Sequence, residues 1–160
     1  MRKKSAVSKA LMVILALLML MNLAGCTKAE DSKENINNES AQGIEEGKSY
    51  SSKDEVAEYL YRYKELPPNF ITKKEAGALG WKSSDGNLWE VTDKASIGGD
   101  IFGNREGLLP KKKGRVYYEC DINYQGGYRG AERIVFSNDG LIFYTDDHYE
   151  SFEELYGEEK

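Results

Sequence analysis

The sequence predicts an α+β domain, and two observations carry that expectation. Helix-start signals fill the first half of the stretch from Ser51 to Lys160, and alternating strand patterns fill the second half. Helices first and antiparallel strands after argue for α+β. There is no internal repeat, and about 110 residues suffice for one domain of modest size.

Ser52-x-x-Glu55 reads as a capping box. Val56, Tyr59, Leu60 and Tyr63 follow at helical spacing, and Leu66-Pro67-Pro68 stops that helix. Thr72-Lys73-Lys74-Glu75 is a second capping box, with Gly80 in a C-cap position. Asn87-Leu88-Trp89-Glu90 is a third, weaker start. These helices are short, so tertiary packing must hold them. From Val116 the period changes to two. Val116, Tyr118, Cys120, Ile122 and Tyr124 are expected against a core, with Tyr117, Glu119, Asp121 and Asn123 on an open face. Gly126-Gly127 marks a turn, and Arg133 can join the open face from the next strand. Ser137-Asn138-Asp139-Gly140 is a hairpin signal, because Asp-Gly accepts positive φ. Leu141 to Thr145 is the following strand, and Phe152 and Leu155 suggest a last strand or packed tail.

The front end has a different character. Arg2, Lys3, Lys4 and Lys9 precede an apolar run from Ala10 to Met21. That run is short for a span of about 20 residues and fits a secretory signal. Leu23-Ala24-Gly25-Cys26 then resembles the lipobox of bacterial lipoproteins, in which the Cys is lipidated and begins the mature chain. An ordinary cleaved signal and an uncleaved anchor are the other two readings. The expected layout is a signal peptide over residues 1–25, a flexible polar tether over 26–50 and the domain over 51–160. The tether has only Ile36 and Ile44 as large aliphatic residues, too few to offset chain entropy. With Cys26 lipidated, Cys120 is left without a disulfide partner and reads as a small core residue. The chain carries 22 cationic and 27 anionic residues, and without Arg2, Lys3, Lys4 and Lys9 the balance is 18 against 27. An acidic mature protein is not a long-range attractor of RNA.

The chemistry-bearing residues lie between Lys73 and Tyr149. Glu119 sits mid-strand, where a solvent-facing carboxylate is the simplest reading. Arg129 and Arg133 on the same face favour a functional one, with Asp121 pairing to them. A carboxylate, two arginines and the single histidine, His148, are the parts that phosphodiester transfer needs without a metal. Lys73 opens a helix, where a cation is mildly misplaced against the macrodipole, and that favours a phosphate role. Lys111-Lys112-Lys113 reads as a solvated connector. No His/Cys/Asp cluster has metal-ligand spacing, and no cofactor is expected.

These residues and their order resemble the barnase-like family of small bacterial guanyl-preferring ribonucleases. The resemblance runs from Val56 to Phe152. It includes Ile71-Thr72-Lys73, Ala78-Leu79-Gly80-Trp81, Ile97-Gly98-Gly99-Asp100-Ile101-Phe102-Gly103-Asn104-Arg105-Glu106-Gly107, Glu119-Cys120-Asp121-Ile122-Asn123-Tyr124 and Asp147-His148-Tyr149. It implies Glu119 as general base and His148 as general acid. Arg129, Arg133 and Lys73 would hold the phosphate, and Asp100 would help position Lys73 and the base. Phe102, Gly103, Asn104, Arg105 and Glu106 would form a guanine-reading loop, with Tyr149 lining the site. The implied activity is cleavage of single-stranded RNA after guanosine, through a 2′,3′-cyclic phosphate. The implied partners are RNA, a barstar-like protein inhibitor and, through Cys26, membrane lipid, for a chain expected to be a monomer at the outer face of the cytoplasmic membrane or secreted. A catalytically idle nucleotide- or protein-binding lipoprotein on the same scaffold is the alternative. The chain departs from the family in its acidity, in its last four residues and at Gly140, where the best-known member has an aromatic.

Overall fold

The computed structural model describes residues 43–157. The signal segment, Cys26 and most of the expected tether lie outside the described residues. The fold is α+β, as the sequence predicts. Helix α1 (Lys53–Tyr63) starts at Ser52, whose hydroxyl donates to Glu55 Oε2 at 2.6 Å and accepts from the Glu55 N–H at 3.5 Å. It ends earlier than the prolines require. Lys64 turns left-handed at φ 60, and its N–H reaches Leu60 O at 3.0 Å. A non-glycine residue there gives up about 1 kcal/mol.

Strand β1 (Phe70–Ile71) leads into helix α2 (Lys73–Ala78), which begins with the complete Thr72/Glu75 capping box. Helix α3 (Leu88–Val91) follows. Five more strands come next: β2 (Ser96–Phe102), β3 (Tyr117–Asp121), β4 (Arg133–Ser137), β5 (Ile142–Thr145) and β6 (Glu153–Tyr156). The strands lie in sequence order across the sheet. Neighbours from β2 to β6 are antiparallel, whereas β1 pairs with β2 in parallel. At two residues, β1 is too short to leave a periodic trace in the sequence.

Helix α1 covers one face of the sheet, with Val56, Ala57 and Leu60 packed on Cys120, Ile122, Ile134 and Ile142. The alternation in β3 therefore has the expected phase, but its second face is not open. Tyr117, Val135 and Phe143 there are sealed by Phe102 at the end of β2 and by Leu109, Tyr149 and Phe152 from the loops. Glu119 is only 7% exposed and Asp121 2%. Tyr124 lies past the end of β3 and packs with Ala76, Leu88 and Ile97 in a third cluster.

A β-bulge aligns the site face. Gly98 pairs with Cys120, but Asp100 pairs with Glu119, so Gly99 at φ 91 is the extra residue. In unbroken register Asp100 would face α1; the bulge turns it to the Glu119 side. Gly98 is as tightly constrained, since an added Cβ would lie 2.7 Å from both the Cys120 Cβ and the Phe70 ring.

The domain also begins earlier than Ser51. Ile44 is buried and its carbonyl accepts from Tyr63 OH at 2.9 Å, while the Gly47 N–H donates to Tyr59 OH at 3.0 Å. Asn69 grips the Tyr50 backbone twice, at 3.1 and 2.9 Å. Residues 43–50 are thus a clasp on α1 and on the approach to β1, not tether.

Candidate active site

Glu119 is the centre of the charged cluster on the loop-covered face. Mid-strand in β3, it is held between two donors. Lys73 Nζ, from the first turn of α2, contacts Oε1 at 2.5 Å, and Tyr149 OH contacts Oε2 at 2.5 Å. Burial works to raise the Glu119 pKa. The Lys73 and Tyr149 hydrogen bonds, with the charges of Lys73 and Arg129, outweigh it and hold the carboxyl below its ordinary 4.5. It stays ionised at neutral pH although nearly buried.

Each partner of Glu119 is itself positioned. The Lys73 N–H donates to Asp100 Oδ2 at 2.9 Å, so the bulge carboxylate fastens the start of α2. That contact also offsets the unpaired amides of the helix start. The Tyr149 ring lies 5.1 Å from that of Phe102. Burial first, and then the adjacent carboxylate, push the Tyr149 phenol well above its usual range, so it remains a donor.

A second layer of charge lies two pairs along the ladder, on the same face. Asp121 pairs with Arg133 across β3 and β4. Arg129 meets it with two hydrogen bonds, Nε to Oδ2 and Nη2 to Oδ1, each 2.6 Å. Arg133 Nε lies 2.9 Å from Asp121 Oδ1 in an ion contact whose angles do not make a hydrogen bond. Its Nη1 donates to Glu132 O at 2.6 Å. Asp121 thus neutralises two arginines, and the side chain of Arg133, at 4% exposure, has little freedom to leave it. Arg129 is the more accessible, at 18%.

His148 is exposed and reaches the cluster only through its neighbour Tyr149; among the described residues it has no hydrogen-bond partner. Its backbone is unusual. His148 (φ 56) and Tyr149 (φ 73) are consecutive left-handed residues, a strained arrangement costing about 1–2 kcal/mol for each. Asp147 over-determines the turn. Its Oδ1 accepts from Thr145 Oγ1 and from the N–H groups of Glu150 and Ser151, and its Oδ2 from Ser151 Oγ. Those bonds lower the Asp147 pKa to about 2, led by the one from the Ser151 hydroxyl. The Tyr149 N–H is in turn anchored on Thr145 Oγ1 at 3.0 Å.

The loop after β2 stands at the other end of the face. Its root, Phe102, packs on Tyr149 and Phe152. Asn104 (φ 41) turns its amide inward to Leu109, accepting from that N–H at 3.1 Å and donating to that carbonyl at 2.9 Å. Gly107 N–H closes a turn on Asn104 O at 3.1 Å. The Asn104 side chain is therefore a brace for the loop. Gly103, Arg105 and Glu106 are exposed, and no contact joins Glu106 to the charged cluster.

Lys73, Asp100, Glu119, Asp121, Arg129, Arg133 and Tyr149 are thus brought into one connected cluster, with His148 adjacent and Phe102 linking the loop. Sequence reasoning missed the Thr145–Asp147–Ser151 scaffold beneath the histidine, although Thr-x-Asp is a readable turn signal. It also missed the bulge, for which Gly98-Gly99 was the available sign.

A ribonuclease family model matches residues 53–156. A ribonuclease from Heyndrickxia coagulans is 59% identical over 99 residues, which span 62% of this chain and 91% of that protein. A ribonuclease from Bacillus intermedius is likewise 59% identical over 99 residues, spanning 62% of this chain and 61% of the relative. Guanyl-specific ribonuclease St from Saccharopolyspora erythraea is 47% identical over 55 residues, 34% of this chain and 54% of that one.

Proposed function

The chain belongs to the barnase-like ribonuclease family, and on that premise we propose that it is a metal-independent endoribonuclease that cleaves single-stranded RNA after guanosine. The observation that carries this reading is Glu119. It is a nearly buried carboxylate kept charged by Lys73 and Tyr149, with the Arg129 guanidinium close enough to add to that effect. Such a group accepts a proton at neutral pH where cations can take up phosphate charge.

In the first step Glu119 removes the proton of the ribose 2′-hydroxyl. The 2′-oxygen bonds to phosphorus, the bond from phosphorus to the 5′-oxygen breaks, and His148 protonates that oxygen. The product is a 2′,3′-cyclic phosphate. In the second step His148 takes a proton from water, whose oxygen bonds to phosphorus, the bond from phosphorus to the 2′-oxygen breaks, and Glu119 returns a proton to that oxygen. Lys73 and Arg129 balance the added negative charge, and Arg133 supports them through Asp121. Arginine suits that task because its planar fork meets two phosphate oxygens.

Base choice is assigned to the loop after β2. The Glu106 carboxylate accepts from the ring N–H and amino group of guanine, and the backbone N–H groups of Asn104 and Arg105 donate to its carbonyl. The Asn104–Leu109 brace pre-forms that edge. Adenine lacks the pattern and leaves these groups unpaired. The guanyl-specific relative is consistent with this assignment. Export and membrane attachment through Cys26 rest on the sequence of the front end. A barstar-like protein inhibitor of complementary charge is the partner such an activity calls for.

The test is incubation of the purified protein with RNA and with DNA in excess chelator. The expected result is RNA cleavage with 2′,3′-cyclic phosphate ends after guanosine and intact DNA, which has no 2′-hydroxyl. Loss of RNA cleavage on chelation, or cleavage of both polymers, would overturn the mechanism.

A further inference from the structure

Tyr149 has a contact that substrate binding does not explain. Its phenol donates at 2.5 Å to Glu119 Oε2, the carboxylate oxygen that Lys73 leaves over, and its ring is packed at 5.1 Å against Phe102. The backbone that delivers it is left-handed at φ 73 and is tied to Thr145. A strained residue held on both sides and aimed at a buried carboxylate is placed for a purpose.

We propose that Tyr149 is the positioning residue of the general base, holding Oε2 of Glu119 in one orientation so that the carboxylate is set to accept the 2′-hydroxyl proton. This rests on the reading of Glu119 as the base. With a donor on each oxygen, the carboxylate cannot rotate about its terminal bond without losing one of them. The phenol bond also opposes burial, which would otherwise favour the neutral acid. The groups facing Glu119 are few. They are Lys73 at the start of α2, Asp100 opposite it on β2, Asp121 along β3, Arg129 from the loop before β4, and Tyr149. Of these, Tyr149 alone is uncharged, so its hydroxyl can be deleted without altering net charge. The ring contact with Phe102 survives in Tyr149→Phe.

The experiment compares the parent with Tyr149→Phe in two readouts on the full chain. The first is the carboxyl NMR titration of Glu119 without substrate, which needs no activity. The expected result is a midpoint at higher pH in the variant; an unchanged midpoint overturns the proposal. The second is the pH profile of kcat/KM on a guanosine dinucleotide. The acid limb is expected to move to higher pH, with plateau values within about ten-fold of the parent. A fixed acid limb with a raised KM alone would make Tyr149 a substrate contact and overturn the positioning role. If neither protein cleaves RNA, the ribonuclease reading fails, while the titration still decides the coupling. Equal thermal midpoints establish that both proteins are folded.

Discussion

Replacing Asp121 by asparagine keeps the shape of the side chain and removes the charge that joins two arginines. Asp121 is 2% exposed, takes two 2.6 Å hydrogen bonds from Arg129 and stands 2.9 Å from Arg133 Nε. In Asp121→Asn one oxygen still accepts, but the amide nitrogen now confronts a guanidinium donor. Stranding a buried charge typically costs about 3–5 kcal/mol. Arg129 is partly exposed and regains some hydration, whereas Arg133 does not, so about 3 kcal/mol is expected. At about 4 °C per kcal/mol for a domain of this size, the thermal midpoint should fall by about 12 °C. Glu153→Ala is the control, because its pair with Lys53 is open to water, with side-chain exposures of 61% and 32%. That change should cost about 0.5 kcal/mol or less. The assay is urea and thermal unfolding, repeated with added sulfate. An anion that enters between the released arginines stabilises by mass action, about 2.7 kcal/mol at a hundred times its dissociation constant. Sulfate should therefore raise the midpoint of Asp121→Asn more than that of the parent. A loss no larger than that of Glu153→Ala, or an equal sulfate effect in both proteins, would refute the view that Asp121 holds the arginine pair.

Four other outcomes are expected. Glu106→Ala should lower kcat/KM on guanosine dinucleotides by about 1–3 kcal/mol of transition-state stabilisation per lost contact, and much less on adenosine ones; an equal fall for both bases would make Glu106 a loop support. Beginning the chain at Ser51 instead of Gly43 should lower stability by about 2 kcal/mol in urea unfolding, from the loss of Ile44 burial and the clasp hydrogen bonds, whereas matching midpoints would make the clasp incidental. Because Glu119 has a lowered folded pKa, its contribution is fully present above its ordinary 4.5 and disappears as pH falls through the folded value. The stability gap between parent and Glu119→Gln should therefore narrow in acid, and a constant gap would contradict the assignment. Finally, Cys26→Ala should leave the membrane fraction or accumulate as precursor; fractionation like the parent would remove the lipid anchor.

What the sequence made legible follows from how local each signal is. Both helix starts involve residues three apart: the Thr72/Glu75 capping box is complete, and at Ser52 the side-chain cap forms while Glu55 bonds the Ser52 hydroxyl instead of its N–H. The phase of β3 follows from a period of two, and it too is as read, with Cys120 under α1 and Glu119 opposite. The failures concern partners distant in sequence. Leu109 and Phe152 close over the second face from loops whose paths no periodicity announces, so a face that looks open is buried. The position of Lys73 at a helix start favours a phosphate role, but its contact with Glu119, 46 positions later, depends on α2 docking on β2, the neighbour of β3. Ile44 looks like an isolated aliphatic in a polar stretch, because the tyrosines that receive it belong to α1. The left-handed backbone at His148 and Tyr149 had no glycine to advertise it. It is maintained by the Asp147 and Thr145 side chains, a tertiary cause that propensity does not encode.

The burial of Cys120 has a practical consequence. The residue is 1% exposed beneath α1, and burial pushes its thiol pKa far above the usual range. A thiol reagent in solution meets neither an accessible nor a nucleophilic sulfur until α1 lifts from the sheet. The rate of labelling at Cys120 is therefore a built-in clock for opening of the main core, running in native buffer with no engineered probe. In the limit of fast reclosing it reports the free energy of that opening, and at high reagent concentration its rate. A ligand that binds across Lys73 and Arg129, on the opposite side of the same strand, should slow the clock in proportion to its occupancy.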